Sequence, residues 1–252
     1  MLVQFPEPLH GWRAFIGEVG VIVLGVLIAL GAGQAADWLN WQDKINAAEA
    51  AMRIELADDD GPQAYARVVI AGCLDDMITR IHDQAGHVPT AQLRRWTAAY
   101  YPPVRTWDSE AWKAVLASDV GSHMGSERLV VWSSPYRLLP MLSEANQRER
   151  ELTVDLHEAL PPSGEPSPSD LQELRRIAAQ LRSLNSKFFT ASQLILARTA
   201  RNGGHLSGTT KQTLLAKAHA IYGNCVNSNG DREAVFQESA VANLRAAPLS
   251  VR

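Results

Sequence analysis

Residues 19–36, VGVIVLGVLIALGAGQAA, form an 18-residue run with no formal charge and one polar side chain, Gln34. A stretch this apolar folds either into hydrocarbon or into the centre of a protein core. Its flanks favour hydrocarbon. Trp12 and Phe15 precede it, and Trp38 and Trp41 follow. Along a helix rising 1.5 Å per residue, Trp12 and Trp38 stand roughly 39 Å apart, close to a bilayer with its interfaces. Aromatic rings at both ends anchor a span at headgroup level. The sequence thus predicts a short tail and interfacial segment (1–18), a transmembrane helix (19–36) and a soluble domain (37–252), with Trp12, Trp38 and Trp41 as membrane anchors.

A cleaved signal peptide is the rival reading, since Gly33-Gln34-Ala35 offers a small-x-small site. Against it, Arg13 is the only basic residue ahead of the run, Glu7 and Glu18 oppose it, and the helical pattern continues past the cleavage site. Arg13 on one flank and Lys44 and Arg53 on the other give no positive-inside preference. The leading tail is too short to fold, so a signal-anchor with the tail inside and the domain outside is expected.

Gly25, Ala29 and Gly33 recur every four residues and share one helix face, with Glu18 seven residues before Gly25 on the same side. Small residues in this pattern let a second helix approach closely. A carboxylate at membrane depth finds a partner, snorkels or stays protonated. These four residues are candidates for helix–helix contact with a second copy or another membrane protein. The plainer account is the ordinary glycine and alanine content of a span, with Glu18 at the headgroup edge.

Nothing in the charge supports nucleic acid as a partner, and none is expected. Lys and Arg number 24 against 27 Asp and Glu, and no basic run of five occurs. The seven histidines form no HExxH pattern, and GxSxG, SxxK, Walker A and GxGxxG motifs do not occur. No catalytic, cofactor-binding or metal-ligating residue is nominated, and no cofactor is expected.

The soluble part reads as all-α, a bundle-like domain of about five to seven helices. The spanning helix is expected to continue to about Ala57, where Asp58-Asp59-Asp60-Gly61-Pro62 ends it as a solvated turn. A second helix over 63–85 carries Ile70, Cys73, Leu74, Met77 and Ile81 on one face and stops at Gly86-His87-Val88-Pro89. Thr90 caps a short helix, and another covers 108–118. Ser126 caps a helix beginning at Glu127. Ser134-Pro135 opens one running to about Ala159, with Pro140 a kink or the true start. PPSGEPSP (161–168) is a loop between packed helices. A long helix over 169–200 ends at Asn202-Gly203-Gly204. Thr209 or Thr210 caps a last strong helix to about Val226. A short helix is expected in the tail from Asp231, with fraying from about residue 240.

Cys73 and Cys225 are the only cysteines, each on an apolar helix face. In an oxidising compartment such a pair is expected to bridge, the alternative being two separately buried thiols. Trp96, Tyr100, Tyr101, Trp107 and Trp112 crowd into 17 residues. They are candidates for a ligand pocket or for a satellite core. Arg94, Arg95 and Arg105 nearby suit an anionic ligand.

The segment HGWRAFIGEVGVIVLGVLIALGAGQAADWLNWQDKINAAEAAMRIEL resembles the opening of an uncharacterised bacterial family of single-pass, N-terminally anchored membrane proteins. The shared features are Glu18, Leu27-Ile28-Ala29-Leu30 and Trp38. WDSEAWKAVLAS, from Trp107, and SSPY, ending at Tyr136, resemble the family's middle. The resemblance weakens after Leu160. It implies a membrane anchor and a helical domain of unknown function, and carries over no active residue. The expected place is the bacterial inner membrane, single-pass, with the soluble domain periplasmic and membrane lipid as a partner. The expected role is non-enzymatic, through protein contacts. The alternative is a ligand-binding or sensory module with its pocket at 96–112.

Overall fold

The computed structural model describes residues 11–228, and all regular structure among them is helical. Nine α-helices are described, the first of them carrying the expected span: α1 (Gly11–Ile54), α2 (Gly61–Gln84), α3 (Thr90–Ala99), α4 (Glu110–Ala117), α5 (Val120–His123), α6 (Ser126–Tyr136), α7 (Leu139–Glu158), α8 (Pro168–Arg201) and α9 (Gly208–Tyr222). A π-helical turn (Glu55–Asp60) joins α1 to α2, and a 3-10 turn (Gly223–Cys225) follows α9. The leading residues 1–10, the helix expected after Asp231 and the fraying from about 240 lie outside the described residues.

The chain divides into two compact units, Met1–Ala48 and Glu49–Arg252. The division falls twelve residues beyond the expected end of the span at Ala36. The described part of the first unit is helix throughout. Its apolar stretch is long enough and apolar enough to cross a membrane, and none of that stretch is buried. Within this unit the Lys44 ammonium lies 4.4 Å from the centre of the Trp41 ring.

Helix does not stop at Asp58-Asp59-Asp60-Gly61-Pro62, contrary to expectation. It widens into the π-helical turn, in which the Gly61 N–H reaches Leu56 O five residues back. The wider turn accommodates Pro62, which supplies no donor in the first turn of α2. Gly61 is required there. A Cβ would lie 2.8 Å from Leu56 O and 2.6 Å from Leu206 Cδ1. The three aspartates are not a uniformly solvated turn either: Asp58 and Asp59 are exposed, but Asp60 is fully buried.

In the second unit α2 is the central helix. Every residue from 64 to 71 is buried, so more than two of its turns are covered on all sides. Its long neighbour is α8, with α9 and α3 also against it, while α7 packs on α8 and reaches α2 through Glu149. Val69, Leu74 and Ile78 of α2 meet Leu174, Ile177 and Leu181 of α8 in the core, with Leu152 and Leu156 of α7.

Local signals place the helix ends. Ser167 caps α8, its Oγ accepting from Asp170 N while the Asp170 carboxylate accepts from Ser167 N. At the far end Gly203 takes φ +76°, with Gly203 N bonded to Ala200 O and Gly204 N to Thr199 O. Ser207, rather than Thr209 or Thr210, caps α9 by accepting from Thr210 N at 3.0 Å. Pro135 does not start a helix. It lies in the last turn of α6, where the ladder bond to Val131 O is lost and the helix ends one residue later, and α7 starts at Leu139 with Pro140 in its first turn. Residues 159–167 form a loop held by hydrogen bonds: Arg94 donates to Pro161 O and Gly164 O, and Thr90 Oγ1 donates to Glu165. Cys73 and Cys225 form a disulfide with Cα atoms 5.2 Å apart, tying α2 to the turn after α9.

Candidate functional site

Gly25, Ala29 and Gly33 lie on the helical surface of the first unit, and a Cβ added at Gly25 or Gly33 meets nothing within 4 Å. Glu18 is exposed on the same helix. Trp12 and Trp38 are exposed, and Trp41 is half-buried. The face has the room that close approach by another helix needs.

The aromatic residues at 96–112 do not converge on one pocket. Trp96 packs on the core with the Arg80 guanidinium 5.8 Å from its ring centre. Tyr100 is fully buried, while Tyr101 is exposed and stacks on His157 at 6.2 Å. Trp107 is half-buried with its indole N–H lacking a partner. Trp112 stacks on Tyr136 at 5.5 Å. Of the five, Tyr101 lines two clefts on this side of the unit. One, of about 270 Å³, is lined by Tyr101, Val104, Asn146, Glu149, Thr153 and His157 among others. The other, of about 480 Å³, runs beside the Cys73–Cys225 bridge.

The densest polar chemistry lies beneath residues 100–109, the connector between α3 and α4. Arg67 of α2 is buried and forms a two-pronged ion pair with Glu149 of α7, Nη2–Oε1 2.5 Å and Nη1–Oε2 3.3 Å. Nη2 also reaches Asn185 Oδ1 of α8 at 3.4 Å, and Asn185 Nδ2 donates to Ala71 O at 2.8 Å. The Phe188 ring covers the guanidinium at 4.3 Å. The connector is pinned from α7: Arg105 N donates to Asn146 Oδ1, Asn146 Nδ2 donates to Arg105 O, and His157 Nε2 pairs with Tyr100 O. Burial raises the Glu149 carboxyl above its ordinary range, outweighing the Arg67 charge. Burial, and then the Arg67 charge, lowers Arg105. Burial raises the Tyr100 hydroxyl.

A second polar cluster sits at the π-helical turn. Glu55 Oε2 accepts from Ala111 N in the first turn of α4, and Asp60 Oδ1 accepts from Asp108 N. Glu55 Oε1 and Asp60 Oδ2 are buried without hydrogen-bond partners. Burial pushes Asp60 up to about 7, with Glu55 adding to the effect and the Asp108 N–H opposing it. Tyr136 donates to Met52 O beside them. Among the described residues no three His, Cys, Asp or Glu side chains converge as a bound metal requires.

Sequence reasoning passed over Arg67, Glu149, Asn185 and Glu55, and took Asp60 for part of a solvated turn. A signal existed for three of them. Glu149 falls seven residues after Leu142 and seven before Leu156, in the inward register of α7, and Asn185 lies between Leu181 and Phe188 in that of α8. Arg67 interrupts the otherwise apolar run AYARVVIAG. No family model matches the chain, and no curated protein or solved structure is significantly similar to it.

Proposed function

We propose that this chain is a single-pass protein of the bacterial inner membrane whose helical unit faces the periplasm and acts by contacting a second copy or another envelope protein. Membership of the uncharacterised anchored family resembled by the N-terminal half belongs to the same proposal. The observation that carries it is the unburied apolar run on α1. Side chains of that kind need lipid as their solvent. The face of Gly25, Ala29 and Gly33 within the run is open for a helical neighbour. The Cys73–Cys225 bridge supports an oxidising compartment for the second unit. Crosslinking in native membranes tests the contact. Wild type is expected to give a dimer or a discrete adduct that Gly25→Leu and Gly33→Leu reduce together. An adduct yield unchanged by both substitutions contradicts it.

A second reading is a ligand-binding module, favoured by the cleft beside the Tyr101–His157 stack. Its apolar walls and few polar groups suit a small organic ligand. Tyr101→Ala is expected to abolish any ligand-induced change in His157 NMR shifts. A metabolite panel that leaves those shifts unmoved in the wild type removes this reading.

A further inference from the structure

We propose that the Cys73–Cys225 bridge is a site of thiol–disulfide exchange, at which an external thiol attacks Cys225 Sγ and releases α9 with the turn that follows it. This stands apart from either reading of function above.

The bridge forms part of a cleft wall. Both cysteines line the cleft of about 480 Å³, together with Met77, Ile221 and Tyr222. That volume falls in the range typical of small-ligand pockets. Asp76 and Arg80, both exposed, add one charge of each sign to the same wall. A cysteine-bearing peptide offers the complementary pair, an ammonium and a carboxylate. The two halves of the bridge differ in access. Cys73 is fully buried on α2, whereas Cys225 is exposed in the 3-10 turn. An incoming thiolate therefore meets Cys225, and Cys73 is the sulfur that departs.

The exchange needs no reagent beyond the thiol. The thiolate sulfur bonds to Cys225 Sγ as the Cys225–Cys73 bond breaks. The electron pair of that bond leaves on Cys73 Sγ, which takes a proton from water. A second thiol attacks the mixed disulfide on Cys225 in the same way. The bridge is reduced to two thiols, and the two external thiols are oxidised to one disulfide.

What the bridge holds has little other grip on the unit. Ala218 is the one buried residue of α9. Leu214, Leu215 and Tyr222 are half-buried, Ile221 is exposed, and the Lys211 ammonium lies 5.6 Å from the centre of the Tyr65 ring. Past the bridge, Val226 is buried and Asn227 N donates to Val69 O at 2.9 Å. By contrast, Leu74 and Ile78 of α2 share a fully buried core with Leu174 and Leu181 of α8. A cross-link over 152 residues restrains the end that packing holds least. Opening it frees residues 208–227 and uncovers α2 between Val69 and Cys73, while the α2–α8 core stays closed.

The test is reduction of the folded full chain in detergent micelles. Glutathione is the thiol in one arm and a small protein dithiol of the Cys-x-x-Cys kind in the other, each reaction quenched by alkylation. Whichever has the larger second-order rate constant identifies the source of the thiol. The rate is expected to rise in proportion to thiol concentration. The mixed disulfide, trapped with glutathione or with a dithiol protein lacking its second cysteine, is expected on Cys225, with the alkyl label on Cys73. In the reduced chain, hydrogen exchange of α9 and the turn after it should accelerate by about tenfold or more, while α8 and the second half of α2 keep their protection. A rate that levels off at that of global unfolding, a mixed disulfide on Cys73, or exchange that is unchanged or raised in every helix overturns the proposal.

Discussion

Removing the Arg67 guanidinium leaves Glu149 buried without its counter-charge, and that asymmetry sets the outcome of substitution. Arg67→Met is expected to cost about 3–5 kcal/mol. The double variant Arg67→Met/Glu149→Leu should recover much of that, because neither member of the pair is left buried without the other. Urea unfolding of the four members of the cycle checks it, and additive losses would contradict it. Asp60 gives a pH dependence with a definite sign. Its carboxyl titrates near 7 in the fold and near 3.8 when unfolded, so the folded chain holds more protons between those values. Stability therefore falls as pH rises from about 4 to 7. The raised Glu149 acts in the same direction. Melting temperature should be higher at pH 5 than at pH 8. Asp60→Asn should reduce the slope and raise the value at pH 8, and an unchanged profile would remove Asp60 as its source. These residues were hard to read because burial of a charge is decided by neighbours from distant parts of the chain. Arg67 and Glu149 are 82 residues apart.

At the scale of elements, sequence was legible where the signal is local. The start of α8 after the proline-rich loop, the stop at Gly203 and Gly204, and the loop itself all depend on a few adjacent residues. The joint between α1 and α2 was not legible, since Gly61-Pro62 normally ends a helix. There the buried carboxylates of Glu55 and Asp60 instead dock residues 108–111, and the helix widens rather than breaks. Gly61→Ala is expected to destabilise by about 1–3 kcal/mol, because its methyl meets the fixed carbonyl of Leu56 as well as Leu206. Chemical denaturation checks this, and a neutral substitution would show that the turn relaxes freely. The disulfide closes a separation of 152 residues between α2 and the turn after α9. In the chain-entropy model, Cys73→Ser with Cys225→Ser should cost about 5 kcal/mol, less any native strain. A small loss in the same assay would show that packing of α9 alone holds that end. The aromatic segment failed as a pocket signal for a simple reason. Aromatic density in sequence does not specify direction, and these rings face separate neighbours.

For the whole molecule, the two units differ in what they do with their apolar side chains. Glu49–Arg252 encloses a core around α2, as a water-soluble domain does. The apolar stretch of α1 encloses nothing and leaves valine, leucine and isoleucine side chains open. An aqueous compartment penalises such a surface, whereas a bilayer does not. Extraction of cell membranes with alkaline carbonate measures the difference directly. If residues 19–36 span the bilayer, the intact polypeptide stays in the membrane pellet and leaves it only with detergent. Release into the carbonate supernatant, or recovery of the uncut chain from the soluble fraction of lysed cells, would contradict the span.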